Sequence, residues 1–258
     1  MNIDAIAART QLVTLTLGTF RPTKRHRPET AAENQRHNTN AARVSVRLTD
    51  DPDLKEISRI QHGIYRIHRS LTLPTIQDAM RLLPAGSQLK HSGEVAAARH
   101  AFDAAVATFV PKYPAIRAAS PTQLGTLHDP DLWPDDVSSC FVFDVRYLPC
   151  PTDGDWAGWL EESARAAEDE VRERVTETLQ RVVDRCQSDG PLYASVFSDV
   201  AELAAMLPDL NVTAAPDLAA IVGEAAFLAR TDVDDVRNDP AARAQAVREA
   251  ERILAILE

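Results

Sequence analysis

Apolar residues recur with two different periods along the chain. Leu15, Leu17 and Thr19 share one side of an alternating run over 12–20, and Thr14 and Thr16 share the other. A period of two predicts a strand, ended by Arg21-Pro22. Val44, Val46 and Leu48 alternate with Ser45 and Arg47 and predict a second short strand. The strongest alternation is 139–148, with Phe141, Phe143, Val145 and Tyr147 on one face and Val142, Asp144 and Arg146 on the other. That strand needs partners, and 12–20 and 43–48 are the candidates for a small antiparallel sheet.

Elsewhere the period is helical. Leu54, Ile57, Ile60, Ile64 and Ile67 form an apolar stripe over 53–70. Lys55, Arg59, His62, Arg66 and Arg69 form a basic stripe on the opposite face. A short helix is expected over 75–83 (Ile76, Met80, Leu83), stopped by Pro84 and Gly86. Another follows Ser92 as N-cap, with Val95, Ala98, Phe102, Val106 and Phe109 inward, and ends at Pro111. Residues 111–138 are rich in proline and aspartate and read as ordered loop.

Pro149-Cys150-Pro151-Thr152-Asp153-Gly154 is a cluster of helix and strand breakers. Beyond it the pattern is helical throughout. Leu160, Ala164, Ala167, Val171, Val175, Leu179, Val182 and Cys186 predict one long helix over about 155–188. Their mean spacing of about 3.7 suits a straight helix better than a left-handed coiled coil. Glu161–Arg165, Glu168–Arg172, Glu170–Arg174 and Glu177–Arg181 add ion pairs one turn apart. Helices over 191–207, 216–229 and 240–257 follow. The expected fold is α+β and predominantly helical. A domain over 1–150 holds the sheet and a basic arm at 21–47, and an all-α domain over 151–258 holds the long helix.

Charge changes this picture. The net charge is −10, but residues 1–120 hold 17 Lys/Arg against 10 Asp/Glu, and residues 121–258 hold 11 against 28. Such asymmetry points to an anionic partner for the first half. Residues 21–42 lack any large apolar side chain and read as a polar arm or long loop, with a short helix after Pro28. The expected nucleic-acid-binding residues are Arg21, Lys24, Arg25, Arg27, Arg36, Arg43, Arg47, Lys55, Arg59, Arg66 and Arg69, because phosphate contacts require clustered cations. Self-association through the acidic half is the competing use of the same charges.

Other chemistry is weaker. Cys140, Cys150 and Cys186 match no zinc or redox spacing and read as reduced thiols. The N-terminus shows no secretory pattern and no apolar run reaches membrane-span length, so a cytoplasmic protein without membrane contact is expected. No pair among His26, His37, His62 and His68 has metal-binding spacing, and Asp232, Asp234 and Asp235 lack the glycine and distal glutamate of a calcium loop. Asp129, Asp131, Asp135 and Asp136 read as turn caps. Trp133, Trp156 and Trp159 read as packing around the breaker cluster. No nucleophile elbow, phosphate loop or dinucleotide fingerprint is present, so neither catalysis nor a cofactor is expected.

Thr72-Leu73-Pro74, Arg81-Leu82-Leu83-Pro84, Tyr113-Pro114, Leu124-Gly125, Trp133-Pro134, Phe141 with Phe143, and Pro149 to Asp155 together set a pattern over about residues 10–190. It resembles an uncharacterised family of phage and mobile-element proteins, a domain of unknown function often encoded near MoxR-type AAA ATPases and recombination genes. Thr75 departs from it, where the family pattern has tryptophan. The resemblance implies no catalytic residues. It implies a setting: a non-enzymatic accessory of phage-type DNA metabolism or, alternatively, an oligomeric adaptor that docks on an AAA ATPase or another protein.

Overall fold

The computed structural model describes residues 2–188 and 190–257. The chain forms two compact units, each made of non-contiguous segments. The first comprises Met1–Thr14, His68–His91 and Arg146–Glu258; the second comprises Leu15–Ile67 and Ser92–Val145. The break expected after residue 150 falls inside the last segment of the first unit.

The fold is α+β and predominantly helical. Helix α1 (Ile3–Arg9) leads into strand β1 (Thr10–Gly18). Strand β2 (Thr23–Arg25), helix α2 (Arg27–Arg36) and strand β3 (Ser45–Arg47) follow, then helix α3 (Pro52–Leu71). Strands β4 (Leu73–Pro74) and β5 (Arg81–Pro84) precede helices α4 (Gln88–Phe109) and α5 (Tyr113–Leu124) and strand β6 (Val142–Pro149). The rest is helical: α6 (Trp156–Gln187), α7 (Ser195–Leu210), α8 (Pro216–Leu228), α9 (Val233–Asn238) and α10 (Pro240–Leu257).

Four strands form an antiparallel sheet in the order β4-β5-β1-β6. The predicted neighbours 12–20 and 139–148 do lie side by side. Gly18 permits the approach, since a Cβ there would meet the Cys140 carbonyl oxygen at 2.9 Å. Residues 43–48 do not join this sheet. Their β3 pairs instead with β2, Lys24 facing Val46, in a separate two-stranded sheet.

Two further expectations fail for identifiable reasons. Residues 75–83 are not a helix: Leu73 pairs with Leu82, and β5 pairs with β1 from Thr10↔Pro84 to Val13↔Arg81. The turn between them closes on Thr75, whose Oγ1 lies 2.8 Å from the Gln77 oxygen and 2.9 Å from the Met80 oxygen. Tertiary pairing buries Leu73, Leu82 and Leu83 and leaves Ile76 outside. Residues 113–124, read as loop, form α5. Pro114 sits in the first turn, where no N–H is needed, and Gly125 ends the helix at φ 55°. Pro121 cannot donate to the Arg117 oxygen one turn back. The Ser120 hydroxyl donates there instead, at 2.7 Å.

In the first unit, all eight apolar positions expected on the long helix are buried. Helix α6 has 32 residues, so it spans about 48 Å. Helices α10 and α7 pack on it, and α8 packs on both of those. In the second unit, Leu54, Ile57, Ile60 and Ile64 of α3 pack with Leu17, Phe20, Val46 and Leu48. A ring cluster completes that core: Tyr113 lies 5.8 Å from Phe20 and 6.0 Å from Trp133, and Phe109 lies 5.9 Å from Phe141.

Candidate nucleic-acid interface

The polar stretch 21–42 is a folded module, not an extended arm. With no large apolar residue available, it is held by hydrogen bonds. His26 is buried; its backbone N–H donates to Val44 at 2.9 Å, and its Nδ1 accepts from the Glu29 amide at 3.1 Å, capping α2. Thr30 donates its hydroxyl to the His26 carbonyl at 2.7 Å and accepts from the Val44 amide at 3.1 Å. Asn34 Oδ1 accepts from the Ala42 amide at 2.9 Å. Leu48 N–H donates to the Pro22 carbonyl at 2.7 Å, fastening the far end.

This module sets out the predicted cations. Arg25 faces Ser45 and Arg47 faces Thr23 across the β2–β3 pair, so both arginines project from its exposed face. Lys24 lies on the other face, 5.7 Å from the Phe20 ring centroid. Every predicted residue except the half-buried Lys24 is exposed. Arg69 belongs to the first unit and the other ten to the second.

The cations divide into two groups. Arg36 pairs with Glu33 at 2.6 Å, Arg47 and Lys55 both reach Asp50 at 3.1 Å, and Arg59 pairs with Glu56 at 2.6 Å. The hydrogen bond and charge of Arg59 hold the Glu56 carboxyl below its ordinary pKa. Arg21, Arg25, Arg27, Arg43 and Arg66 have no carboxylate partner among the described residues. A groove of about 530 Å³ runs beside the module. Phe20, Leu54 and Ile57 form its apolar floor; Arg21, Arg47, Lys55, Asp50 and Asp51 line its sides.

Charge by unit differs from charge by sequence half. The second unit holds thirteen Lys/Arg and thirteen Asp/Glu, and the first holds fifteen and twenty-five. The basic region is therefore a local face on a neutral unit. Acidic residues of 92–145 balance it, including Asp129 and Asp136, which accept from the Asp131 and Ser138 amides as turn caps. Asp232 likewise caps α9 through the Asp234 amide at 2.8 Å.

A second polar cluster, in the first unit, escaped sequence reasoning. His68 Nδ1 lies 2.9 Å from His91 Nε2, and His91 Nδ1 lies 3.1 Å from the Tyr147 hydroxyl. Burial, and then the positive charge of His91, Arg81 and Arg69, push His68 down to a pKa of about 3. Burial lowers His91 too. Nearby, Arg174 donates to the Arg69 and Thr72 carbonyls at 2.9 and 3.0 Å, at the last turn of α3, and pairs with Glu170. Arg81 donates to the Thr72 hydroxyl at 2.7 Å and pairs with Glu170 at 3.3 Å. Nothing local in the sequence announced a partner for His68 23 residues away.

All three cysteines are free thiols, and burial pushes Cys150 and Cys186 up in pKa. Among the described residues no cluster of His, Cys, Asp and Glu could hold a metal ion, and no helix is long and apolar enough to cross a membrane. Comparison with protein-family models, curated proteins and solved structures finds no match.

Proposed function

We propose that the chain binds nucleic acid by its phosphate backbone, through the exposed cations of residues 21–66, as a non-enzymatic accessory of cytoplasmic, phage-type DNA metabolism. One observation carries the binding: Arg21, Arg25, Arg27, Arg43 and Arg66 are exposed and have no carboxylate partner among the described residues. Arginine left unpaired on a rigid surface is suited to phosphate oxygens, because its planar donors need no further ordering. The folded β2–α2–β3 module supports the reading, since it holds Arg21, Arg25, Arg27 and Arg43 without spending them on its own stability. The phage-type setting rests on the family resemblance.

Fluorescence anisotropy with labelled single- and double-stranded DNA at low salt tests it. Arg25→Glu with Arg66→Glu should weaken binding roughly tenfold or more. Arg59→Glu should do less, because Arg59 already faces Glu56. Absence of binding at low salt, or a double variant that binds like the parent, would overturn the proposal.

A further inference from the structure

Strand β6 ends the sheet order, with β1 on one side and no further strand on the other among the described residues. Proteins usually blunt such an edge with charge, proline or a bulge, because it offers a row of backbone donors and acceptors. Here the edge runs as eight residues, Val-Phe-Asp-Val-Arg-Tyr-Leu-Pro, with one charge of each sign near its middle and proline only at its end. It also leaves large apolar side chains in solvent: Val142 is 42% exposed, Tyr147 37% and Leu148 45%.

The order of residues along β6 is self-complementary. In an antiparallel pair of two identical strands centred on Val145, Asp144 of each faces Arg146 of the other. Phe143 then faces Tyr147, and Val142 faces Leu148. Every facing pair is oppositely charged, aromatic with aromatic, or aliphatic with aliphatic, the classes that stabilise cross-strand neighbours. Neighbouring registers lose this. Centring on Asp144 sets two carboxylates face to face, and centring on Arg146 sets two guanidinium groups face to face. A slip of half a step places Asp144 against Val145. One register is thus selected by charge as well as by apolar matching. Asp144 and Arg146 each already have an interaction within the chain; a facing copy adds a further partner to each.

We propose that β6 is a homodimer interface, at which two copies join edge to edge about a two-fold axis through Val145. The contact is isologous, so it closes at two and does not propagate. It continues the four-stranded sheet into eight strands and covers the exposed Val142 and Leu148. This dimer stands independently of nucleic-acid binding. Where both hold, the complex carries two basic faces, and the second engages at high effective concentration.

Light scattering coupled to size exclusion tests the pairing. The parent should show twice the 28.3 kDa chain mass. Asp144→Arg alone and Arg146→Asp alone should each run as monomers, since each sets like charges face to face. Mixed together they should recover a dimer, because one chain then presents only guanidinium groups at these two positions and the other only carboxylates. The recovery also shows that both variants fold. Amide exchange on the parent gives a second reading: residues 142–148 should exchange more slowly at high than at low protein concentration. A parent that stays monomeric throughout, single variants that dimerise unchanged, or β6 exchange independent of concentration would overturn the proposal.

Discussion

Arginines of the two units do different work. In the first unit several are consumed by structure, while Arg9, Arg69, Arg185, Arg230 and Arg248 are exposed with no carboxylate partner among the described residues. Arg172 binds Asp217 and Glu168, Arg181 binds Asp199, and Arg174 joins Glu170 to the last carbonyls of α3. In the basic module and on α3, five arginines face water with no carboxylate beside them among the described residues. Two helices illustrate it: on α6 Arg165, Arg172 and Arg174 each meet a glutamate one turn away, whereas on α3 Arg59 does so with Glu56 and Arg66 has no carboxylate partner among the described residues. Composition alone does not separate these uses, and the distinction lies in what each guanidinium touches.

That contrast can be broken at Arg174 first. Arg174→Ala removes donors from several carbonyls and leaves half-buried Glu170 with Arg81 alone. We expect a loss of about 2–3 kcal/mol in urea denaturation, whereas Arg25→Ala should stay within about 0.5 kcal/mol. Equal losses at the two positions would erase the distinction.

Acid should strike the first unit next. His68 is held near a pKa of about 3, against 6.5 when unpaired and solvated. Between these values the unfolded chain carries a proton that the folded chain refuses. The stabilisation is therefore complete above pH 6.5 and is lost as pH falls toward 3. The slope is about 1.4 kcal/mol per pH unit, or about 2 kcal/mol by about pH 5 from His68 alone, with His91 acting in the same direction. A plot of urea midpoint against pH should show the slope, and His68→Gln with His91→Gln should flatten it. A parent with no slope between about pH 6.5 and about pH 5 would contradict the buried neutral pair.

The smallest effect sharpens the comparison within the basic module. His26 is the polar residue there that serves the fold, so His26→Ala should cost about 1 kcal/mol by thermal denaturation through the lost cap of α2. It should also weaken DNA binding slightly, because the cations on both sides of it lose their fixed spacing. Unchanged stability would mean that the cap contributes nothing.

Much of the fold was legible because burial and period agree. The eight inward positions of α6 and the stripe of α3 read directly from their spacing. Segments held by polar or distant contacts did not. The 21–42 module lacks apolar residues and depends on His26, Thr30 and Asn34 bonding to backbone across a turn. Helix α5 carries two prolines, and Ser120 compensates for the inner one. The β4–β5 turn borrows its order from β1. For the candidate cations, exposure was readable from the polar pattern, but their pairing was not. Asp50 serving both Arg47 and Lys55, and Glu56 facing Arg59, separate spent cations from available ones.

The salt dependence of DNA binding measures the available ones most directly. If Arg21, Arg25, Arg27, Arg43 and Arg66 each meet a phosphate, log K should fall against log salt with a slope of about −4 to −5 on duplex DNA. Replacing all five by Gln should bring the slope near zero while the thermal midpoint holds. A slope near zero in the parent, or an unchanged slope after all five replacements, would contradict the account.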